Sequence, residues 1–140
     1  MQKEVYSHHM VVRQEHLNQY GNLFGGCVLS VIDELAFIAC IRTFPGHSFV
    51  TRAIHDAEFT APAGLGDILE FKAWVESTGT TSVKVRVQMF VRCGNCSGKG
   101  RNSFDGAVAL VRIDAEGCPC ALDAPPSVRT CDISTCKSAE

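Results

Sequence analysis

Hydrophobic and polar positions change their period along the 140-residue chain, and each change marks an element. Val5 to Arg13 carries Val5, Tyr6, Met10, Val11 and Val12, which predicts a strand whose alternation is broken by His8 and His9. Residues 14–24 are polar and rich in Asn and Gly, and read as a loop. From Gly25 to Thr43 the apolar run is too long for a strand and holds no turn signal, so it predicts a helix, stopped by Pro45-Gly46. Apolar residues occupy nearly every face of that helix, which is therefore expected to be enclosed.

Everything beyond it alternates at period two. Residues 48–61 form a strand ended by Pro62 and Gly64, and 67–76 form another, with Leu69, Phe71, Ala73 and Val75 opposing Glu70, Lys72 and Trp74. Ser77-Thr78-Gly79-Thr80 is a turn. Residues 82–92 set Val83, Val85, Val87, Met89 and Val91 against Lys84, Arg86, Gln88 and Arg92. A loop over 93–103 leads to a last strand at about 104–113. The expected fold is α+β: one long central helix wrapped by a five-stranded antiparallel sheet, the last four strands forming a meander. Residues 1–117 make this domain, and 118–140, with Pro119, Pro125 and Pro126, an irregular tail. A single sheet leaves one face open, so self-association is expected, as a dimer or a tetramer or hexamer built from it.

Composition narrows the function. At 46% hydrophobic and 20% charged residues, the chain is one folded domain. A net charge of −2 with no basic stripe argues against nucleic acid as a partner. Asp33 and Glu34 interrupt the longest apolar run and would each cost about 2.5–3.5 kcal/mol at a bilayer midplane, which argues against a membrane span. Met1-Gln2-Lys3-Glu4-Val5 lacks the apolar core of a signal peptide, and the expectation is a cytoplasmic protein.

The sequence has no G-x-S-x-G, H-E-x-x-H, G-x-G-x-x-G or Walker motif. What stands out is Asp33 beside Glu34 inside the apolar helix. A carboxylate there loses hydration and has to find donors. Adjacent helical residues point about 100° apart, so one of the two can reach solvent while the other faces inward. Gly25-Gly26 opens the helix and exposes bare backbone N–H groups where the dipole favours negative charge. Paired glycines also serve tight loops and close packing, and both readings stand at this point.

Taken in order, Asn18-x-x-Gly21-x-x-Phe24-Gly25-Gly26-x6-Asp33-Glu34, Val50-Thr51-x-Ala53, Phe59-x-x-Pro62-x-x-x-Gly66-Asp67, Thr78-Gly79-Thr80-Thr81-Ser82-Val83 and Ala109 to Gly117 resemble the hot-dog-fold acyl-CoA thioesterases of the YciA-like and cytosolic acyl-CoA hydrolase branch. The resemblance covers about residues 5–117. It implies a thioester hydrolase in which Asp33 is a general base or a nucleophile, the Gly25 N–H holds the oxyanion, and Asn18 orients the water or the carboxylate. It implies substrate contacts from Phe24, Gly26, Val50, Thr51, Thr80, Thr81 and Ser82, and a site assembled from two subunits. Coenzyme A enters as part of the substrate, and no other cofactor is expected.

Two departures from the family pattern are the Cys- and Gly-rich 93–103 loop and Arg52 on a strand that lines the channel. Lys99 and Arg101 in that loop could meet a CoA phosphate or simply be solvated. The eight cysteines include the close pairs Cys93/Cys96, Cys118/Cys120 and Cys131/Cys136. Cys93-x-x-Cys96 looks like half of a zinc knuckle, but Cys118-x-Cys120 would lie one strand away, about 30 Å at ~3.3 Å per residue. No metal site is expected. A hot-dog dehydratase would need a helix His that 25–44 lacks; a non-catalytic acyl-CoA sensor is the alternative from another class.

Overall fold

The computed structural model describes residues 3–94, 98 and 100–125. Strand β1 (Tyr6–Val11) is followed by a single 3₁₀ turn (Gln14–His16), helix α1 (Gly25–Thr43), and strands β2 (Ser48–Phe59), β3 (Ile68–Thr78), β4 (Ser82–Arg92) and β5 (Arg101–Ile113). One antiparallel sheet results, with the order β1-β3-β4-β5-β2, and α1 lies across one of its faces. Among the described residues no helix is long and apolar enough to cross a membrane.

The helix limits follow from local chemistry. Gly46, at φ +81°, supplies the left-handed turn after the last helical residues, while the Phe44 N–H and the Thr43 hydroxyl return to the carbonyls of Cys40 and Ala39. Strand β4 alternates buried and half-buried residues from Ser82 to Val91, and its inner set, Val83, Val85, Val87 and Met89, is almost fully enclosed. Leu69, Phe71, Ala73, Phe104, Val108 and Leu110 complete the sheet's contribution to the core. Val28, Ile32, Leu35, Ala36, Ala39 and Cys40 are the helix's contribution, and the small side chains of Ala36 and Ala39 permit close approach of helix and sheet.

Three expectations are corrected. The four later strands do not form one meander: β3, β4 and β5 do, but β2 pairs with β5 on the far edge. Neighbours in sequence are not obliged to be neighbours in a sheet. The 60–67 link carries the chain back past the helix start, tied by Thr60 N–H to Ser103 O and Leu23 N–H to Ala63 O. The last strand begins at Arg101 rather than 104, which shortens the loop before it.

The third correction is that α1 is not enclosed. One sheet covers one side of it, leaving Phe37 and Ile38 exposed at 38% and 37%. Edge strand β2 also exposes apolar side chains, at Val50, Ile54 and Phe59. That strand is also interrupted twice. Arg52 is an extra residue between the paired Thr51 and Ala53, and a second irregularity follows His55, where Asp56 adopts φ +53°.

The tail is irregular through 125 in having no helix or strand, but it is held firmly, as described below. Cys40 is fully enclosed, and burial pushes its thiol up from an ordinary 9.0 to about 12. Alkylation with iodoacetamide at pH 8 should spare Cys40 in the native protein and modify exposed Cys118, as read by peptide mass spectrometry. Because only the unfolded thiol ionises readily, the stability that Cys40 contributes should be lost as pH rises above 9.

Candidate active site

The entry to α1 is a set of unused donors. Phe24, the N-cap, offers no side-chain cap, and its N–H is engaged by His16 O. The N–H groups of Cys27 and Val28 return to Phe24 O, whereas those of Gly25 and Gly26 have no acceptor among the described residues. The Phe24 ring lies over Gly26 so closely that a Cβ there would stand 2.6 Å from it. On the other side, a Cβ at Gly25 would meet the Phe59 ring at 3.7 Å. Beside these donors is a cavity of about 330 Å³, lined by Leu23, Gly25, Val28, Phe59, Pro62 and Met89 among others. Apart from the backbone donors, Asn22 and Thr60, its walls are apolar, the combination that holds a polar group at one end and excludes water from the other.

Asn18 shapes the loop that delivers the chain to this point. Its Oδ1 accepts the N–H groups of Tyr20 and Asn22 at 2.9 and 3.1 Å, and its backbone pairs with Asn22 O and Gly21 N–H. Gly21, at φ +79°, makes the turn possible. The carbonyl of the Asn18 side chain is therefore committed to the loop, and the amide NH₂ is what remains for a substrate or a water.

Asp33 and Glu34 separate as the 100° geometry requires. Glu34 is exposed on the β1 flank, lining a groove with Tyr6, His8 and Ile38. Asp33 is half-buried on the β2 flank, where the Thr51 hydroxyl donates to its Oδ1 at 2.5 Å. The carboxylate has found the donor that its apolar helix denies it, and Oδ2 is left without a partner among the described residues. Thr51 was expected only as a substrate contact. Its role as the residue that orients Asp33 depends on the register of β2 against the helix, which no motif encodes.

A groove of about 430 Å³ opens next to Thr51, lined by Val50, Thr51, Arg52, Thr81, Ile113 and Pro119 among others; Asp33 does not line it. The structure thus brings Val50, Thr51 and Thr81 together. Ser82 lies across β5 from Val50, through Val111, and lines a separate groove with His55, Ser77 and Lys84. Thr80 lines neither groove, and its carbonyl accepts Leu122 N–H at 2.9 Å. The described residues hold no cluster of three or more His, Cys, Asp or Glu able to bind a metal. Cys96, Lys99, Cys131 and Cys136 lie outside the described residues; Arg101 is exposed at the start of β5.

Other shifted groups lie away from this region. A hydrogen bond from His9, followed by Lys72, holds the Glu70 carboxyl below the usual range. Glu76, and then Asp105, raise the Arg86 guanidinium on the sheet's outer face.

Comparison with known proteins agrees with this layout. The family model described as the thioesterase superfamily matches residues 20–96, more than half of the chain. The chain is 34% identical over 94 residues to the acetyl-coenzyme A thioesterase of Rattus norvegicus, covering 66% of this chain but only 17% of that protein. To the acyl-CoA thioester hydrolase YciA of Escherichia coli K12 it is 28% identical over 107 residues, covering 75% of this chain and 80% of YciA.

Among solved structures, an acyl-CoA hydrolase from Staphylococcus aureus in complex with butyryl coenzyme A and coenzyme A superposes with a TM-score of 0.75. The identity is 29%, over 84% of this chain and 70% of that one. The same enzyme is known with single asparagine, aspartate and threonine residues replaced by alanine. An apo-hexameric acyl-CoA thioesterase superposes with a TM-score of 0.76 at 28% identity, over 84% and 74% of the two chains.

The two functions open to Asn18 can be separated by substitution. Asn18→Asp keeps the acceptor for Tyr20 and Asn22 and should unfold in urea within about 0.5 kcal/mol of the parent, whereas Asn18→Ala should lose ~1–2 kcal/mol.

Proposed function

Because this chain belongs to the thioesterase superfamily, we propose that it hydrolyses an acyl-CoA thioester to the free carboxylic acid and CoA. The observation that carries the reading is the pairing of an oriented carboxylate, Asp33 held by Thr51, with the uncapped N–H donors of Gly25 and Gly26. The spacing of residues supports it. The asparagine and aspartate replaced in the Staphylococcus aureus hydrolase are fifteen residues apart, as are Asn18 and Asp33.

The chemistry needs few parts. The thioester carbonyl oxygen accepts from the Gly25 N–H, which stabilises the negative charge as the carbon becomes tetrahedral. Asp33 takes a proton from an attacking water that the Asn18 amide orients, or its carboxylate attacks directly and water then cleaves the resulting anhydride. Either way the C–S bond breaks and CoA leaves as a thiolate, a good leaving group that is protonated afterwards. This route calls on no cofactor or metal beyond the CoA of the substrate. The apolar cavity at the helix start suits the acyl group, and the groove beside Thr51 suits the CoA arm.

One chain does not supply both halves at once. Gly25 and Asp33 are eight residues apart on the same helix, about 12 Å along its axis at ~1.5 Å per residue. A hydrogen-bonded water, the reacting carbonyl and the oxyanion bond, bent around one carbon, fall short of that. A second copy of the chain, bringing its helix start to this Asp33, closes the gap. The exposed apolar surface of α1 and β2 offers the contact, and the hexameric structural neighbour is consistent with it.

Two outcomes test the reading. Asp33→Asn should still bind acyl-CoA while losing about 10²–10⁴ in turnover, followed by ultraviolet absorbance of the thioester across a panel of acyl-CoAs. Turnover that survives this change sinks the mechanism, and binding without any parental turnover favours a sensor. Ile54→Lys, which places a charge on the exposed apolar strip, should yield a smaller species by light scattering with activity lost in proportion.

A further inference from the structure

Arg112 is the largest fully buried side chain among the described residues, and its hydrogen-bond partners are unusual. Buried guanidinium groups ordinarily meet carboxylates. Those of Arg112 are all main-chain carbonyls of one short segment: Nη1 donates to Ala121 O at 2.6 Å and Ala124 O at 2.7 Å, with a longer contact to Leu122 O, and Nη2 donates to Pro125 O. The same segment is tied from other directions. Cys120 N–H returns to Arg112 O, Leu122 N–H donates to Thr80 O, and His47 Nε2 lies 3.0 Å from Leu122 O. Leu122 packs against the core.

A stretch with no helix or strand is thus fixed at one end of the sheet, chiefly by one side chain. What the clamp positions is the turn just before it. Asp114 Oδ1 accepts the N–H groups of Glu116 and Cys118, Gly117 takes φ +81°, and Pro119 pairs with Ile113. Gly117 and Pro119 line the same groove as Thr51, the partner of Asp33. Arg52, exposed at its bulge, is the one charged residue of the lining, which otherwise holds Thr51 and Thr81 among apolar side chains and backbone. Such a surface suits an uncharged chain with amide groups whose far end is anionic, which describes the pantetheine arm of CoA and its phosphates.

We infer that Arg112 is a positioning residue for the CoA arm: by clamping 121–125 it fixes the Gly117–Pro119 turn as a wall of the substrate groove. A wall ordered in advance spares the ligand the cost of ordering it on binding, so the effect falls on affinity and not on the chemical step. This inference rests on the acyl-CoA reading for the identity of the ligand, but binding tests it separately from turnover.

The experiment compares the parent with Arg112→Met, Arg112→Lys and Pro119→Gly, the last loosening the wall without touching the buried cation. Free CoA binding is measured by calorimetry, and kinetics with a short acyl-CoA and with the same acyl group on N-acetylcysteamine, which lacks most of the CoA arm. Arg112→Met and Pro119→Gly should weaken CoA binding and raise the KM for acyl-CoA by about tenfold, with kcat within about twofold and the N-acetylcysteamine thioester unaffected. Arg112→Lys, which keeps a charge and three donors, should recover part of the loss. The inference is overturned if CoA binding is unchanged in folded Pro119→Gly, if both substrates lose activity together, or if the parent does not bind CoA. A parent that binds CoA but hydrolyses nothing overturns the catalytic reading instead, and calorimetry still decides the role of Arg112.

Discussion

A five-stranded sheet has one concave face, and a helix apolar on nearly all sides cannot be satisfied by it. That mismatch governs the rest of the molecule. The sheet buries the stripe from Val28 to Cys40, which gives the domain its core, and leaves Phe37 and Ile38 in water. The same geometry places β2, the strand over which the helix spills, at an edge with most of its apolar side chains uncovered. Each uncovered CH₂ costs of order 0.8 kcal/mol relative to burial, so the surface is a standing driving force for association. Side chains on the far side of such a helix therefore face away from their own sheet.

Within that frame, Asp33 is the residue that departs from the local rule. An acidic side chain in an apolar stripe is tolerated because Thr51 reaches it from β2, one strand residue before a bulge. Orientation and desolvation come from the same contact: the hydroxyl fixes one carboxylate oxygen and leaves the other available. Gly25 and Gly26 complement it with donors that no side chain blocks, and the Phe24 and Phe59 rings keep them in an apolar setting.

Much of this was legible in the residues alone. The helix limits at Gly25 and Thr43 and strand β4 at Ser82–Arg92 follow from apolar length, Pro45-Gly46 and strict alternation, because local signals decide them. The divergence of Asp33 from Glu34 follows from helical geometry. The edge position of β2 does not, since strand order depends on which hydrogen-bonding edge is free when the chain returns, and alternation is silent about that. Thr51 as the partner of Asp33 needed the same missing information. Arg112 was hidden for a different reason: in a strand pattern a lone cation reads as a solvent-facing position, and only the returning carbonyls of 121–125 make its burial possible.

The interruptions in β2 have a consequence beyond the site. An edge strand of twelve residues with one side unpaired, exposing Val50, Ile54 and Phe59, is a template on which unrelated strands can pair. The extra residue at Arg52 and the left-handed Asp56 break its ladder into short stretches that a straight, unmatched strand cannot follow. Only a partner interrupted at corresponding places can pair along its whole length, and the surest such partner is another copy of β2 running the opposite way. The bulges therefore protect the edge against indiscriminate pairing with straight strands.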